Sequence, residues 1–339
     1  MLGLVFIYWR IINKDYTVIY KVNSKNKFVG KPIWIDNDNI IFFETKNGNE
    51  ILFEKLNIKT NKIEKVAVID GQFDNVFTDL YTVNTNGDML MVDTVDSIRL
   101  IYIKKKKDKK LEMFNKYIYK KTSPNGKYII GIGVIGENKK GVLLLETKKL
   151  NRFHLNWDKN KEIGSPVVVL DNGEVVYKTM KDKIYIANIE EEVLFNYRYI
   201  GKIPSNQSLI NILVSPNSKK VVLLTIEEEG KNAKWDISVI DIFKSNVKHY
   251  NLNMVSENRP SISWSKDSKS LILTVRDRNG GKYYSDIKMF DIKTSSLYEL
   301  EKGKGYLASA SISPDKKYIA YAFQKKEIRI KDISGIIKK

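Results

Sequence analysis

Apolar runs and polar turns alternate along this chain at regular intervals. A turn of the form Ser-Pro-Asn/Asp-x-Lys precedes an apolar run at Ser123, Ser215 and Ser313, and Ser265 opens a variant turn without proline. Weaker copies of the turn begin near residues 36, 86 and 171. Successive copies lie roughly 38 to 50 residues apart, which is the period of a β-propeller blade and not of a helical solenoid.

Each repeat predicts four short strands. In residues 261–300, the segments SISW, SLILTV, YSDIKMFDI and LYEL are separated by turns rich in Asp, Asn, Ser and Gly. Alternating and β-branched segments favour strands, and these turn residues favour the backbone conformations that a chain reversal needs. No segment keeps a 3.6-residue apolar period through three helical turns, so the sequence predicts an all-β fold.

The two ends of the chain predict how the ring closes. Two strands, YIAYAF and EIRIKDI, follow the last turn, and the segment 16–22 has the pattern of a strand that precedes the first full repeat. A ring of sheets leaves no exposed edge only if its ends join. We therefore predict a seven-bladed propeller of four-stranded blades, closed by the N-terminal strand. Six or eight blades stay open as alternatives, because the copies between residues 30 and 120 are the weakest.

The first twelve residues, MLGLVFIYWRII, are almost entirely apolar. As a helix they would span about 18 Å, which is short of the ~30 Å hydrocarbon core of a membrane. They lack the flanking basic region and cleavage site of a signal peptide. Two interpretations remain, the end of a membrane anchor or a strand packed on the domain. The expected organisation is an apolar segment at 1–13, a propeller at 14–335 and a basic tail at 336–339.

The repeats carry a family resemblance. The Ser-Pro-Asp/Asn-x-Lys-Tyr phrase and the Asp-Ile-x-Thr strand end, as at residues 291–294, resemble the repeat of TolB-like propellers, which also builds the propeller of prolyl-oligopeptidase-type peptidases. The resemblance covers about residues 30–335, and the chain departs from WD repeats because it has no Gly-His or Trp-Asp pair. The resemblance implies a propeller without a peptidase domain, located outside a bacterial membrane.

Composition limits the available chemistry. The 339 residues include no cysteine and two histidines, which excludes disulfides and thiolate metal sites. His154 and His249 fall in predicted fourth strands, where we interpret them as strand-edge residues. Residues 131–136 match G-x-G-x-x-G, but a strand follows where a dinucleotide site needs a helix. Residues 36–39 offer oxygen ligands to calcium but lack the spacing of a calcium loop, and are interpreted as a turn.

Positive charge is concentrated in two parts of the chain, residues 101–150 and 301–339. The formal net charge is +18, and residues 101–150 hold 14 Lys and Arg against 4 Asp and Glu. Such a cluster in a predicted hairpin attracts polyanions, although lysines also protect exposed sheet edges and keep loops solvated. Few arginines and no interleaved aromatics argue against sequence-specific nucleic-acid recognition. The candidate partner-binding residues are Lys104, Lys105, Lys106, Lys107, Lys109 and Lys110.

These observations lead to one expected function and one rival. The first is a non-enzymatic interaction module of TolB-like type that binds a protein or an anionic polymer, tethered to a bacterial membrane through residues 1–12, with no cofactor. The rival is a metal-dependent propeller enzyme, lactonase-like or lyase-like, that acts in the central channel and could hold calcium there. A cytoplasmic location is the alternative to the extracytoplasmic one.

Overall fold

The computed structural model describes residues 16–22, 28–46, 50–70, 81–94, 97–115, 117–135, 139–156, 163–190, 193–227, 233–256, 258–279, 282–307 and 309–337. Its strands form seven four-stranded antiparallel sheets, in the order predicted from the repeats. The all-β, seven-bladed prediction is therefore confirmed.

Each blade runs from an inner strand at the central channel to an outer strand at the periphery of the ring. Blades 1 to 3 are β2–β5 (Ile33–Trp34, Asn39–Lys46, Glu50–Asn57, Ile63–Asp70), β6–β9 (Tyr81–Val83, Met89–Asp93, Ile98–Tyr102, Lys107–Leu111) and β10–β13 (Tyr117–Thr122, Tyr128–Ile135, Lys139–Glu146, Arg152–Asn156). Blades 4 and 5 are β14–β17 (Ile163–Val169, Val175–Thr179, Lys183–Glu190, Val193–Lys202) and β18–β21 (Ser208–Val214, Lys220–Glu227, Lys234–Asp241, Asn246–Val255). Blade 6 is β22–β25 (Ser261–Trp264, Ser270–Asn279, Lys282–Asp291, Ser296–Lys304), and blade 7 is β26 (Ser311–Ile312), β27 (Tyr318–Phe323), β28 (Glu327–Asp332) and β1 (Thr17–Lys21).

Strand β1 closes the ring. It pairs antiparallel with β28, with Thr17 opposite Ile330 and Lys21 opposite Glu327. The Tyr20 hydroxyl on β1 also donates to the Glu44 carboxylate of blade 1, so the closing strand joins the last blade to the first. This confirms that the N-terminal strand completes the final sheet.

The apolar core lies between the blades. Seven buried clusters are present, one at each interface between neighbouring sheets. At the closure, for example, Phe42 of blade 1 packs with Ala320 and Ile328 of blade 7. The second strand of a blade, such as β7 or β27, is buried along nearly its whole length, which explains why its apolar run is nearly continuous instead of alternating.

The repeated turn motif links the blades at one face of the ring. In the turn that begins at Ser215, the Ser215 hydroxyl donates to Asn217 Oδ1 at 2.8 Å and accepts from the Lys220 amide at 2.9 Å. The Asn217 amide then donates to the Ser268 hydroxyl in the turn of the next blade, at 3.1 Å. The recurrent serine and asparagine therefore stabilise their own turn and the contact between blades.

Helical structure is minimal in the part of the chain that the structure describes. It consists of a 3₁₀ turn at Glu112–Phe114 and helix α1 at Ser334–Ile337. None of the described helices is long and apolar enough to cross a membrane. The apolar segment at 1–13 lies outside the described residues. Residues 131–135 belong to β11, and a Cβ on Gly131 would lie 2.9 Å from the Phe114 ring, so this glycine permits close packing.

Candidate functional site

The innermost strands surround a cavity of about 290 Å³ at the centre of the ring. Every blade contributes to its lining, from the segment at Lys31 in blade 1 to the segment at Pro314 in blade 7. Pro124, Pro216 and Pro314 from the repeated turns stand at its rim. The turn motif that identified the fold therefore also builds the mouth of the channel.

The charged side chains among the described lining residues are all cations. They are Lys31, Lys121, Arg259 and Lys266, and the described lining includes no carboxylate and no imidazole. Lys31 and Lys121 are half-buried, whereas Arg259 and Lys266 are exposed. A concave site with charge of one sign concentrates ligands of the opposite sign. The cavity is therefore suited to an anion.

Lys266 reaches across the mouth of the channel. It stands in the turn after β22, and its ammonium group donates to the backbone carbonyl of Ile35 in blade 1, at 3.1 Å. The neighbouring carboxylate, Asp267, pairs instead with Lys316 of blade 7, with Nζ and Oδ2 2.9 Å apart. The positive charge of Lys266 is thus placed at the rim without being neutralised by the adjacent aspartate.

Three aromatic side chains line the cavity beside these cations, and their polar groups are bonded to the protein. Trp34 Nε1 donates to the Ser311 carbonyl at 3.3 Å, and Trp264 Nε1 donates to the Leu213 carbonyl at 3.4 Å. The buried Tyr81 hydroxyl lies 2.9 Å from the Ile41 carbonyl, and burial raises the pKa of this phenol well above its usual value. Trp34 and Tyr81 are buried in the core beneath the lining, so the half-buried Trp264 is the ring among these three with surface open to a ligand, and Tyr81 stays protonated near neutral pH.

Sequence reasoning did not identify the channel cations. One signal for Lys266 was present, because it stands where three other copies of the turn carry the rim prolines. A second signal is a basic residue followed by proline before the inner strand, at Lys31-Pro32 and Arg259-Pro260. Neither of these two sequence signals indicates by itself that a side chain lines the channel. That position is visible only in the closed ring.

The predicted lysine cluster lies elsewhere. Its residues occupy the hairpin between β8 and β9, the outer strands of blade 2, and all but the half-buried Lys109 are exposed. Within the cluster, Lys106 pairs with Glu64 at 3.1 Å and Lys110 with Glu112 at 3.4 Å. Hydrogen bonds from Lys55 and Lys106 lower the pKa of Glu64 to about 2. The cluster is confirmed as a surface hairpin, and its role in binding a partner stays a prediction.

The residues with metal-ligand chemistry do not converge. His154 lies on β13 and His249 on β21, both exposed fourth strands, as expected from the sequence. Asp36 accepts hydrogen bonds from the amides of Asp38 and Asn39, at 2.9 and 2.8 Å, so the acidic segment is a turn. Among the described residues, no three His, Asp or Glu side chains come together as possible metal ligands.

Comparisons with known proteins identify relatives in fold. No protein-family profile and no curated protein matches the chain. Among solved structures, an oligogalacturonate lyase in complex with manganese matches with a TM-score of 0.66 and 11% identity, over 96% of this chain and 97% of that one. The oligogalacturonate lyase from Vibrio parahaemolyticus matches with a TM-score of 0.65 and 12% identity, over 95% and 94%.

These likenesses correct two expectations. The non-enzymatic interaction module was the wrong choice between the two functional readings, because solved propellers that match this chain over nearly their whole length are lyases. The expectation of no cofactor, with calcium as the exception, is also corrected, because one of these lyases is in complex with manganese. At 11 and 12% identity the likeness shows the fold, and among the described residues of this chain no three His, Asp or Glu side chains form a metal site.

Proposed function

We propose that this chain is a lyase-type propeller enzyme that binds an acidic oligosaccharide in its central channel. The observation that carries the proposal is the described lining of the channel, with four cations, three aromatic side chains and no carboxylate. Oligogalacturonate, the sugar in the names of the two similar structures, is a chain of carboxylated rings. Such a ligand combines repeated negative charge with apolar ring faces that can pack on aromatic side chains.

The reaction that fits this lining is a β-elimination. A base removes the proton on the carbon next to the carboxylate, the electrons of that C–H bond form a carbon–carbon double bond, and the bond to the leaving sugar oxygen breaks. The leaving oxygen keeps the electron pair of the broken C–O bond and takes up a proton from solvent. Negative charge develops on the carboxylate in the transition state, where fixed cations stabilise it.

The described lining residues offer amines for the proton transfer. An uncharged lysine is an established type of general base. Lys31 and Lys121 are the half-buried amines of the channel, and Arg259 and Lys266 are the exposed cations nearer to solvent. In the proposed arrangement one of the two half-buried lysines is uncharged in the reactive state and removes the proton, the other stays a cation, and the exposed pair binds carboxylates.

The test is product formation by the purified chain. Incubation with oligogalacturonate in the presence of manganese should give an unsaturated uronate, which absorbs in the ultraviolet. One of the two variants Lys31→Gln and Lys121→Gln should abolish the product while trigalacturonate still binds. Absence of product with the wild-type chain would refute the proposed lyase activity, and absence of binding would also refute the proposed ligand.

Attachment to a membrane is a separate proposal. The apolar residues 1–12 support it, and they include one charged residue, Arg10. Fractionation of cells that produce the full chain or a chain lacking residues 1–13 tests it. Recovery of both chains in the same fraction would argue against a tether.

A further inference from the structure

The basic lining of this channel differs from the lining that a manganese ion would need. Manganese prefers oxygen ligands such as carboxylates, and no carboxylate is present among the described residues that line the cavity. Basic side chains occupy that lining instead. On the basis of the proposed function, we infer that Arg259 and Lys266 bind the carboxylates of the acidic oligosaccharide directly, so that binding needs no divalent metal.

Blade 6 places these two cations at opposite ends of one inner strand. Arg259 precedes β22 and Lys266 follows it, which separates them by roughly 20 Å of extended backbone. A single sugar carboxylate cannot contact both groups over that span. The ligand that matches them is an oligomer with a carboxylate on successive units.

Blade 1 repeats part of this arrangement on the other side of blade 7. Lys31 precedes β2 as Arg259 precedes β22, in each case followed by proline. Each of the two strands ends in a tryptophan that lines the cavity, Trp34 and Trp264. A basic residue before the inner strand and a tryptophan at its end therefore occur in both blades, and Trp264 is the more exposed of the two rings.

Direct contacts can replace the metal for carboxylate binding. An arginine donates two parallel hydrogen bonds to a carboxylate, and a lysine supplies a point charge with rotatable donors. Lys266 is already held at the rim by its bond to the Ile35 carbonyl, so little conformational freedom is lost when it binds a ligand. Asp267 does not compete for it, because this carboxylate pairs with Lys316.

Titration calorimetry of the full chain with trigalacturonate tests the inference. Protein treated with EDTA and protein with added manganese should bind with the same dissociation constant, and the fully methyl-esterified sugar should not bind. Lys266→Gln and Arg259→Gln should each raise the dissociation constant about tenfold, whereas Lys266→Arg should leave it near the wild-type value. The matched control is Lys269→Gln, an exposed lysine of the same turn that does not line the cavity.

The possible outcomes separate the two proposals. Binding that requires manganese would overturn the inference and leave the proposed function standing. If trigalacturonate binds without metal, and Lys266→Gln and Lys269→Gln weaken that binding equally, the ligand lies outside this channel. That result would overturn the inference. Failure of trigalacturonate to bind in either condition would overturn both. Circular dichroism and the unfolding temperature of each variant confirm that the fold is intact.

Discussion

Lys266 shows what a single residue reveals in a repeated sequence. Three other copies of the turn carry proline at this position, and those prolines form the rim of the channel. The departure is visible in the sequence, because the repeats can be aligned with one another. The position of Lys266 at the channel mouth is not visible in the sequence, because its bond to Ile35 joins residues 231 positions apart. The candidate site was therefore marked in the sequence but could not be located from it.

Asp267 gives a prediction about the dependence of stability on pH. Burial alone would raise the pKa of this carboxyl, but hydrogen bonds from Ser265, Lys316 and the Lys269 amide outweigh burial and lower it. A lowered pKa in the folded chain means that the contribution to stability is present above the unfolded value of about 3.9. The contribution is lost as the pH falls through the folded value.

Asp267→Asn should accordingly destabilise the chain more at pH 7 than at pH 3. The expected loss in the free energy of unfolding at pH 7 is about 1 kcal/mol or less, because the side chain is 34% exposed and solvent weakens the pair with Lys316. Urea unfolding at the two pH values measures this difference. An equal loss at both would show that the ion pair does not contribute through its charge.

At the scale of elements, strand β1 determines whether the ring is closed. It covers the edge of β28, and Tyr20 connects it to Glu44 of the first blade. An uncovered strand edge offers unpaired backbone groups to another chain. Deletion of residues 1–21 should therefore lower the unfolding temperature, measured by circular dichroism. It should also produce dimers or aggregates, measured by light scattering.

Deletion of residues 1–15 is the matched comparison, because it leaves β1 in place. The difference between the two truncated chains isolates the contribution of the closing strand. If both have the same unfolding temperature and the same oligomeric state, β1 does not stabilise the ring.

The β8–β9 hairpin allows a test of the exposed lysine cluster. If it binds polyanions, replacing its six lysines by glutamine should abolish retention on heparin at moderate salt, because local charge density governs this attraction. A control chain carries six glutamine substitutions that remove the same charge from scattered exposed sites. Retention that both chains lose equally would reflect net charge alone and remove the hairpin as a binding site. The control positions are Lys62, Lys219, Lys244, Lys248, Lys269 and Lys293.

For the whole molecule, the fold could be predicted and the function could not. The turns at Ser123, Ser215, Ser265 and Ser313 are local, so their chemistry is readable in a short segment of sequence. Their spacing favours seven blades, with six or eight left open, and the strand at 16–22 predicts the closure that the structure shows. The channel is different because its lining takes one short stretch from each of seven blades, and no local pattern states which residues will meet. The conspicuous lysine cluster directed attention to the outer surface of blade 2 instead.

The absence of a local motif also makes the sequence favour the wrong functional alternative. The sequence has two histidines and no recognisable catalytic motif, which favoured an interaction module. Elimination chemistry next to a carboxylate needs cations and one proton acceptor, and lysines and arginine supply these without any local motif. Residues such as Lys31 and Lys121 look like ordinary surface charges until the ring places them in one cavity.

A crystal structure of the full chain with bound trigalacturonate tests the central claim most directly. We expect the sugar in the central channel, with its carboxylates within hydrogen-bond distance of Arg259 and Lys266 and a ring packed near Trp264. Trigalacturonate bound on the outer surface of the blades, or in the channel but away from both cations, would contradict the account.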